Sequence, residues 1–384
     1  MTLSDIVEAS GIRRVDVVAW RDLDDPEAGG SELHAHEVLS RWAAAGVDVR
    51  LWTSRVDGAA RVVVRDGYEA HRQAGRYAVF PATALRGLTG KIGSGDGVVE
   101  IWNGMPFLSP VWAKRPRIVF LHHVHAEMWQ MVLSQGLARV GATIERAIAP
   151  PVYRRDRIIT LSESSKREIV ERLRLSADHI TVAPPGIDPR FCTGGTKDQD
   201  PLVITVGRLV PVKRFDWFID AMRKLRADHP RLRAVVVGEG YERPALEARI
   251  RDAGEGDWLT VPGRVSDESL VNLYRRAWLV VSTSSHEGWG MTITEAGACG
   301  TPAVATRIAG HKDALVDGVS GTLVDTMDDV VTAAGAILAD DDLRSAMSAA
   351  ATEVAQRFKW EETASVAFGV LAEEARRTRE RRGS

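Results

Sequence analysis

Short apolar runs alternate along this chain with stretches whose apolar positions recur every three or four residues. That is the pattern of strands buried on both faces and helices apolar on one side. The first run, "VDVVAW" (Val15 to Trp20), reads as a buried strand; a loop and a helix follow, with Leu33, Val38, Leu39, Trp42 and Ala45 on the inner side. Gly46 ends that helix and "VDVRLWT" (Val47 to Thr53) starts a second strand, so the chain opens on a βαβ unit and a parallel sheet. Further strands are predicted at "GVVEIW" (Gly97 to Trp102), "RIVFLH" (Arg117 to His122), "RIITLS" (Arg157 to Ser162) and "ITVAPPG" (Ile180 to Gly186).

"APPGIDPRFCTGGTKDQDP" carries no period and is rich in Pro, Gly and charge, as a linker between compact units is. The rhythm then restarts with strands "LVITVG", "RAVVVG", "LTVPG", "WLVVSTS" and "PAVAT" separated by helices, the first bearing Phe215, Phe218, Ile219, Met222 and Leu225 at helical spacing. From Trp360 to Arg382, Val366, Phe368, Val370 and Leu371 followed by "RRTRERR" read as a helix with a solvated basic end. The pattern predicts an α/β chain of two doubly wound, Rossmann-like domains, residues 1–192 and 193–358, with a closing helix at 359–384. Such a pair is expected to bind ligands in a cleft, at the carboxyl ends of the two sheets.

Composition narrows the function classes. In 384 residues, 50 Lys and Arg nearly balance 52 Asp and Glu, so a nucleic-acid partner is not favoured. The start, "MTLSDIVEAS", is acidic, and no apolar run approaches the ~20 residues of a membrane span. With two cysteines, Cys192 and Cys299, and no CxxC, a reducing, cytoplasmic setting is expected.

Several stretches carry candidate chemistry. Gly29, Gly30 and Ser31 follow the first strand and open a helix, either as an anion cradle or as a tight turn capped by Ser31. In "VGRLVPVKR", Gly207, Arg208 and Lys213 follow a strand and suit a diphosphate, against the alternative of ordinary solvated charges. "GEGYER" from Gly238 has Arg243 where a dinucleotide fingerprint has its third glycine, which argues against a nicotinamide or flavin. The DxD pairs Asp22/Asp24 and Asp198/Asp200 read as solvated loops, and His122, His123 and His125, on an extended chain, make a poor metal site. "HEGWGMTITEAGACGTP" sets Glu287 and Glu295 eight positions apart around a glycine turn. The amides of Gly290, Met291 and Thr292 open the next helix as an anion cradle, although Thr292 and Glu295 also match a capping box.

At these residues the sequence resembles the family 4 retaining glycosyltransferases, which have the GT-B fold. The resemblance covers nearly the whole chain: "GGSELHAHEVLSRWAAAGVDVRLWT", "ITLSESSKREI", "APPGID", "VGRLVPVKR", and most specifically "GRVSDESLVNLYRRAWLVVSTSSHEGWGMTITEAGACGTPAV" with its E-x7-E signature. It implies a nucleoside-diphosphate sugar donor, GDP- or UDP-linked, held by Arg208 and Lys213 at the diphosphate, Glu287 at the sugar hydroxyls and Glu295 at the ribose. The amides of Met291 and Thr292 lie near phosphate, Arg264 and Val265 meet the base through backbone, and His122 stands at the reacting side of the sugar, with His123 one register away. Pro185 stands where the family more often has Asn. No metal or cofactor is implied, and the departing phosphate is the implied acceptor base.

The expected activity is retaining, metal-independent hexosyl transfer to an acceptor hydroxyl, on a sugar or a lipid-linked glycan. A nucleotide-sugar epimerase, a phosphorylase or a non-catalytic binding protein of the same fold are the alternatives. Met128, Trp129, Met131, Val132 and Leu133 beside Arg139, Arg146, Arg154 and Arg155 suggest peripheral contact with the inner face of a membrane, or else a packed helix with solvated arginines.

Overall fold

A computed structural model of the chain describes residues 1–125, 128–129 and 134–383. It forms two compact units: Met1–Gly186 with the closing helix Trp360–Gly383, and Ile187–Lys359.

The first unit opens with helix α1 (Leu3–Ser10), then strand β1 (Arg14–Val18) and helix α2 (Gly30–Ala44). The strands β2 (Asp48–Ser54), β3 (Val62–Arg65), β4 (Tyr68–Ala74), β5 (Gly97–Trp102), β6 (Arg117–Leu121), β7 (Arg157–Thr160) and β8 (Ile180–Val182) complete a sheet ordered β3-β4-β2-β1-β5-β6-β7-β8. Every neighbouring pair is parallel except β3 and β4, which join through Asp66 and Gly67, both at positive φ. This hairpin is not among the strands predicted from sequence, although three valines precede its Asp-Gly turn; Val62 and Val64 are exposed, while Tyr68 and Ala70 face the core. Along β1, Val15 and Val17 pack with Val38, Leu39, Trp42 and Phe368, whereas Val18 joins Val79, Val98 and Trp112 on the other face. The sheet is therefore buried on both sides, as the continuous apolar runs require. On α2 the buried stripe is His34, Ala35, Val38, Leu39 and Trp42, with Glu32; Leu33 and Ala45 are only half-buried. The closing helix packs on this stripe, with the Trp42 indole N–H donating to the Ala364 carbonyl at 2.9 Å.

In the second unit, β9 (Leu202–Val206), β10 (Arg233–Val237), β11 (Leu259–Gly263), β12 (Leu279–Ser282), β13 (Ala303–Thr306) and β14 (Gly321–Val324) form an all-parallel sheet ordered β11-β10-β9-β12-β13-β14. Phe215, Phe218, Ile219, Met222 and Leu225 are all buried against it. The order reverses between β9 and β12, so the carboxyl ends of these adjacent strands are the switch point of the sheet, where ligands of such folds bind. The aperiodic stretch 187–201 belongs to this unit: Lys197 Nζ donates to the Ala277 carbonyl at 2.7 Å, and Arg275 Nε to the Cys192 carbonyl at 2.8 Å.

In the DxD loops all four carboxylates are ion-paired, but only Asp22 is buried; Asp198 and Asp200 are half-buried and Asp24 is exposed. Asp22 is 2% exposed and accepts from Arg72 Nε at 2.8 Å; Asp24 accepts from Arg72 and from Arg65 at 2.6 Å. Asp198 accepts from Arg276 Nε at 2.8 Å and Nη2 at 2.9 Å, and Asp200 pairs with Arg231 at 3.1 Å. Both stretches are loops, as expected; the paired cations come from distant parts of the chain and leave no local sign.

Candidate active site

The second unit gathers its candidate residues where β9 and β12 end. Gly207 has φ 159°, and its amide donates to Val237 at 2.9 Å. A Cβ on Gly238 would lie 1.8 Å from the Gly207 carbonyl oxygen, and one on Gly240 2.2 Å from that of Leu209. The "GEG" stretch is thus a backbone-to-backbone packing device rather than part of a dinucleotide fingerprint.

The loops after β9 and β12 are laced together. Arg214 Nε and Nη2 donate to the carbonyls of Thr283 (2.8 Å) and Ser284 (3.0 Å), Thr283 Oγ1 to that of Arg214 (2.8 Å), and the Ser285 amide to that of Val212 (2.7 Å). This lacing sets Lys213 Nζ in an ion pair with Glu287, whose Oε1 also accepts from Ser284 Oγ at 2.8 Å. Burial pulls the Glu287 carboxyl up, but Lys213 and His311 beside it and the hydrogen bonds from Lys213 and Ser284 leave it below the usual carboxylate range. Arg208 is half-buried, and among the described residues no ion pair occupies its guanidinium.

The turn from Glu287 into the helix Met291–Ala298 is tightly packed. A Cβ on Gly290 would lie 2.8 Å from Ile293 Cδ1, and one on Gly310 2.7 Å from the Trp289 amide nitrogen. Gly290 is the N-cap, with no side-chain cap bond, so the first amides, those of Met291 and Thr292, are left by the helix itself. The capping box between Thr292 and Glu295 does not form, because Thr292 lies inside the helix. Glu295 instead accepts from Tyr274 Oη at 3.1 Å, and burial pushes its carboxyl up to about 7. Arg264 is exposed and Val265 half-buried; the Arg264 amide donates to Glu239 Oε1 at 3.3 Å.

Sequence reasoning missed His311. It is buried, its Nδ1 is 2.9 Å from the Thr306 carbonyl oxygen and its Nε2 3.2 Å from Ser282 Oγ, and burial lowers it to about 4. A carbonyl only accepts, so Nδ1 carries the proton and Nε2 accepts from Ser282.

In the first unit, His122 follows β6 and Gly29–Gly30 open α2. The Gly29 amide donates to Glu32 Oε2 at 2.8 Å, and Glu32 Oε1 accepts from Arg21 Nε at 3.2 Å. Gly29, not Ser31, is the N-cap; the Ser31 hydroxyl lies 3.0 Å from His122 Nδ1. His122 is buried, which lowers it to about 4. His123 and His125 stack at 4.7 Å, and the His125 amide donates to Glu145 at 2.7 Å. Among the described residues no group of three His, Cys, Asp or Glu could hold a metal ion.

With this geometry in place, the chain was compared with known proteins. The profile described as "Glycosyltransferase Family 4" matches residues 28–191, and that described as "Glycosyl transferases group 1" matches residues 193–354. A D-inositol 3-phosphate glycosyltransferase of Geodermatophilus obscurus is 30% identical, over 92% of this chain and 88% of its own. One of Xylanimonas cellulosilytica is 27% identical, over 92% and 95%. Among solved structures, a sucrose-phosphate synthase from Thermosynechococcus elongatus superposes with a TM-score of 0.77 at 20% identity, covering 92% of this chain and 96% of that one.

Proposed function

This chain belongs to the glycosyltransferase family that the family 4 and group 1 profiles describe, and on that premise we propose that it moves a hexosyl group from a nucleoside-diphosphate sugar to an acceptor hydroxyl, with retention at the anomeric carbon. The observation that carries this reading is the switch point of the second unit, where Arg208, without an ion pair among the described residues, and Lys213 follow β9, and Glu287, paired with Lys213, and the uncapped start of the helix Met291–Ala298 follow β12. As the glycosidic bond breaks, negative charge grows on the diphosphate. Arg208, Lys213 and the amides of Met291 and Thr292 then stabilise the transition state more than the ground state, without a metal. Glu287 accepts from sugar hydroxyls and Glu295 from the ribose, while Gly207 lets the backbone approach the diphosphate. Arg264 and Val265 lie at the base. On the donor's reacting side, His122 offers Nε2, and Gly29 and Gly30 give close backbone approach. The departing phosphate takes the acceptor proton.

The relatives' names make a phosphorylated cyclitol the first acceptor to test. Incubation with D-inositol 3-phosphate and a panel of UDP- and GDP-sugars should release nucleoside diphosphate and yield an α-linked hexosyl product. An epimerised nucleotide sugar or a sugar phosphate as sole product overturns transfer, and loss of turnover on chelation, restored by Mg²⁺ or Mn²⁺, overturns metal independence.

An exposed patch favours a second, membrane-bound class of acceptor. Leu137, Val140 and Ile148 are 60%, 54% and 46% exposed, next in sequence to the exposed Arg139 and Arg146. Met131, Val132 and Leu133 lie outside the described residues, and no helix among the described residues is long and apolar enough to cross a membrane. Flotation with anionic vesicles at low salt tests this reading; no co-flotation removes it.

A further inference from the structure

His34 was singled out by neither the spacing of the sequence nor the family resemblance. It is 1% exposed, and among the described residues its Nε2 has no hydrogen-bond partner. Three rings surround it edge-on: Phe120 at 5.3 Å and 71°, Trp360 at 5.6 Å and 65°, and His122 at 4.8 Å and 71°. A phenylalanine would fill such a box without the free-energy cost of a buried, unpaired polar atom. An imidazole held at that cost calls for a functional explanation.

The helix supplies one. Ser31 and His34 are three residues apart in α2, so they face the same way. Ser31 Oγ meets the His122 ring at Nδ1, 3.0 Å away, and His34 meets it edge-on, so the ring is gripped at two points. The first turn that carries both is itself fixed, because Glu32 ties Arg21 to the Gly29 amide. Trp360, the first residue of the closing helix, backs His34 and is itself 2% exposed. With Nδ1 engaged by Ser31, Nε2 is the nitrogen of His122 left for a ligand, and among the described residues it too has no hydrogen-bond partner.

We propose that His34 is a positioning residue for the transfer reaction: with Ser31 it forms a two-point clamp that sets the direction of His122 Nε2, with Trp360 closing the box behind it. Burial holds both imidazoles neutral, His34 well below its ordinary value through burial and then the neighbouring His122, so neither the clamp nor its target carries charge at neutral pH. The proposal rests on the assignment of His122 to the reacting side of the donor sugar.

The test uses the full chain, three single variants and one double variant. His34→Phe keeps the box filled and removes the nitrogens. Its kcat should fall roughly 10-fold to 100-fold, the scale of a misdirected catalytic group. Donor KM should stay within about twofold and the melting temperature unchanged or higher, since a buried unpaired polar group has been removed. A merely structural histidine predicts the same stability but wild-type turnover, so kcat is the readout that decides. Ser31→Ala should cost a similar factor, and combining it with His34→Phe should cost little more than the worse single change, because both act on one ring. His122→Asn is the benchmark. Wild-type kcat in His34→Phe while His122→Asn is impaired, or multiplying losses in the double variant, overturns the clamp. Wild-type kcat in His122→Asn overturns the assignment on which it rests.

Discussion

Both units carry a charged loop after a strand at the centre of a parallel sheet, and they use that charge in opposite ways. After β1, Asp22 and Asp24 are matched by Arg65 and Arg72, and Arg21 lies between Glu27 and Glu32 and over the Trp20 ring at 4.5 Å. The charge there is consumed by the fold, and the Gly29 amide is consumed with it. After β9 and β12, Arg208 has no ion pair among the described residues, Lys213 has Glu287 alone, and the helix start is uncapped. A cation already held by buried carboxylates has little left for an anionic ligand, so the number of partners per charge separates a structural loop from a binding one.

The strongest way to break this comparison is to remove one cation from each loop. Arg72→Leu leaves Asp22 buried and unpaired, and should destabilise the first unit by about 3–5 kcal/mol. Arg208→Leu should leave stability within about 0.5 kcal/mol, as for a surface change, while nucleoside-diphosphate affinity falls. Urea titration of both variants checks the pair; equal stability losses erase the distinction.

Within the binding loop the two glutamates should separate by function. Glu287→Gln should cut turnover by about 100-fold, the scale for losing one preorganised transition-state contact, with nucleoside-diphosphate affinity nearly unchanged, since the free nucleotide has no sugar. Glu295→Gln should weaken the nucleoside diphosphate itself by about 1–3 kcal/mol. Calorimetric titration of the two variants decides: unchanged affinity in Glu295→Gln removes the ribose contact, and lost affinity in Glu287→Gln removes the sugar contact.

The strand "GVVEIW" was legible to the residue because burial on both faces writes itself as a nearly continuous apolar run, whereas "LTVPG", an edge strand with Thr260 and Pro262 exposed, was marked by its Pro-Gly ending. The β3–β4 hairpin was not legible, since β3 exposes Val62 and Val64 and β4 buries Arg72 beside Tyr68 and Ala70, so burial there does not follow apolar character. At the site, Glu287 and Lys213 could be named from strand-loop-helix punctuation, but the lacing through Arg214, Thr283 and Ser285 that brings them together spans some seventy positions and leaves no local trace. Tyr274 and His311 act as partners of Glu295 and Glu287 from other elements, so only the fold reveals them. His34 had a signal that went unread: a polar ring on the apolar stripe of α2, three residues from Ser31.

The smallest effect concerns pH. Burial raises Glu295 to about 7 from its ordinary 4.5, so between those values the folded chain holds a proton that the unfolded chain has released. The contribution of Glu295 to stability is complete below pH 4.5 and is lost as pH rises to 7. The buried histidines slope the other way: His122 and His311, held near 4 against 6.5 when unfolded, contribute fully above pH 6.5 and lose that contribution as pH falls toward 4. A melting curve of the wild type alone therefore mixes two opposed slopes, and the comparison must be made by difference. The melting temperature of Glu295→Gln minus that of the wild type should grow between pH 5 and pH 7.5. Tyr274→Phe removes a hydrogen bond that favours the carboxylate, so the difference between Glu295→Gln and wild type, measured again in the Tyr274→Phe background, should grow over a window extending to higher pH. A difference that stays flat from pH 5 to 7.5 shows that Glu295 is ionised throughout, and that its place in the binding loop costs the fold nothing.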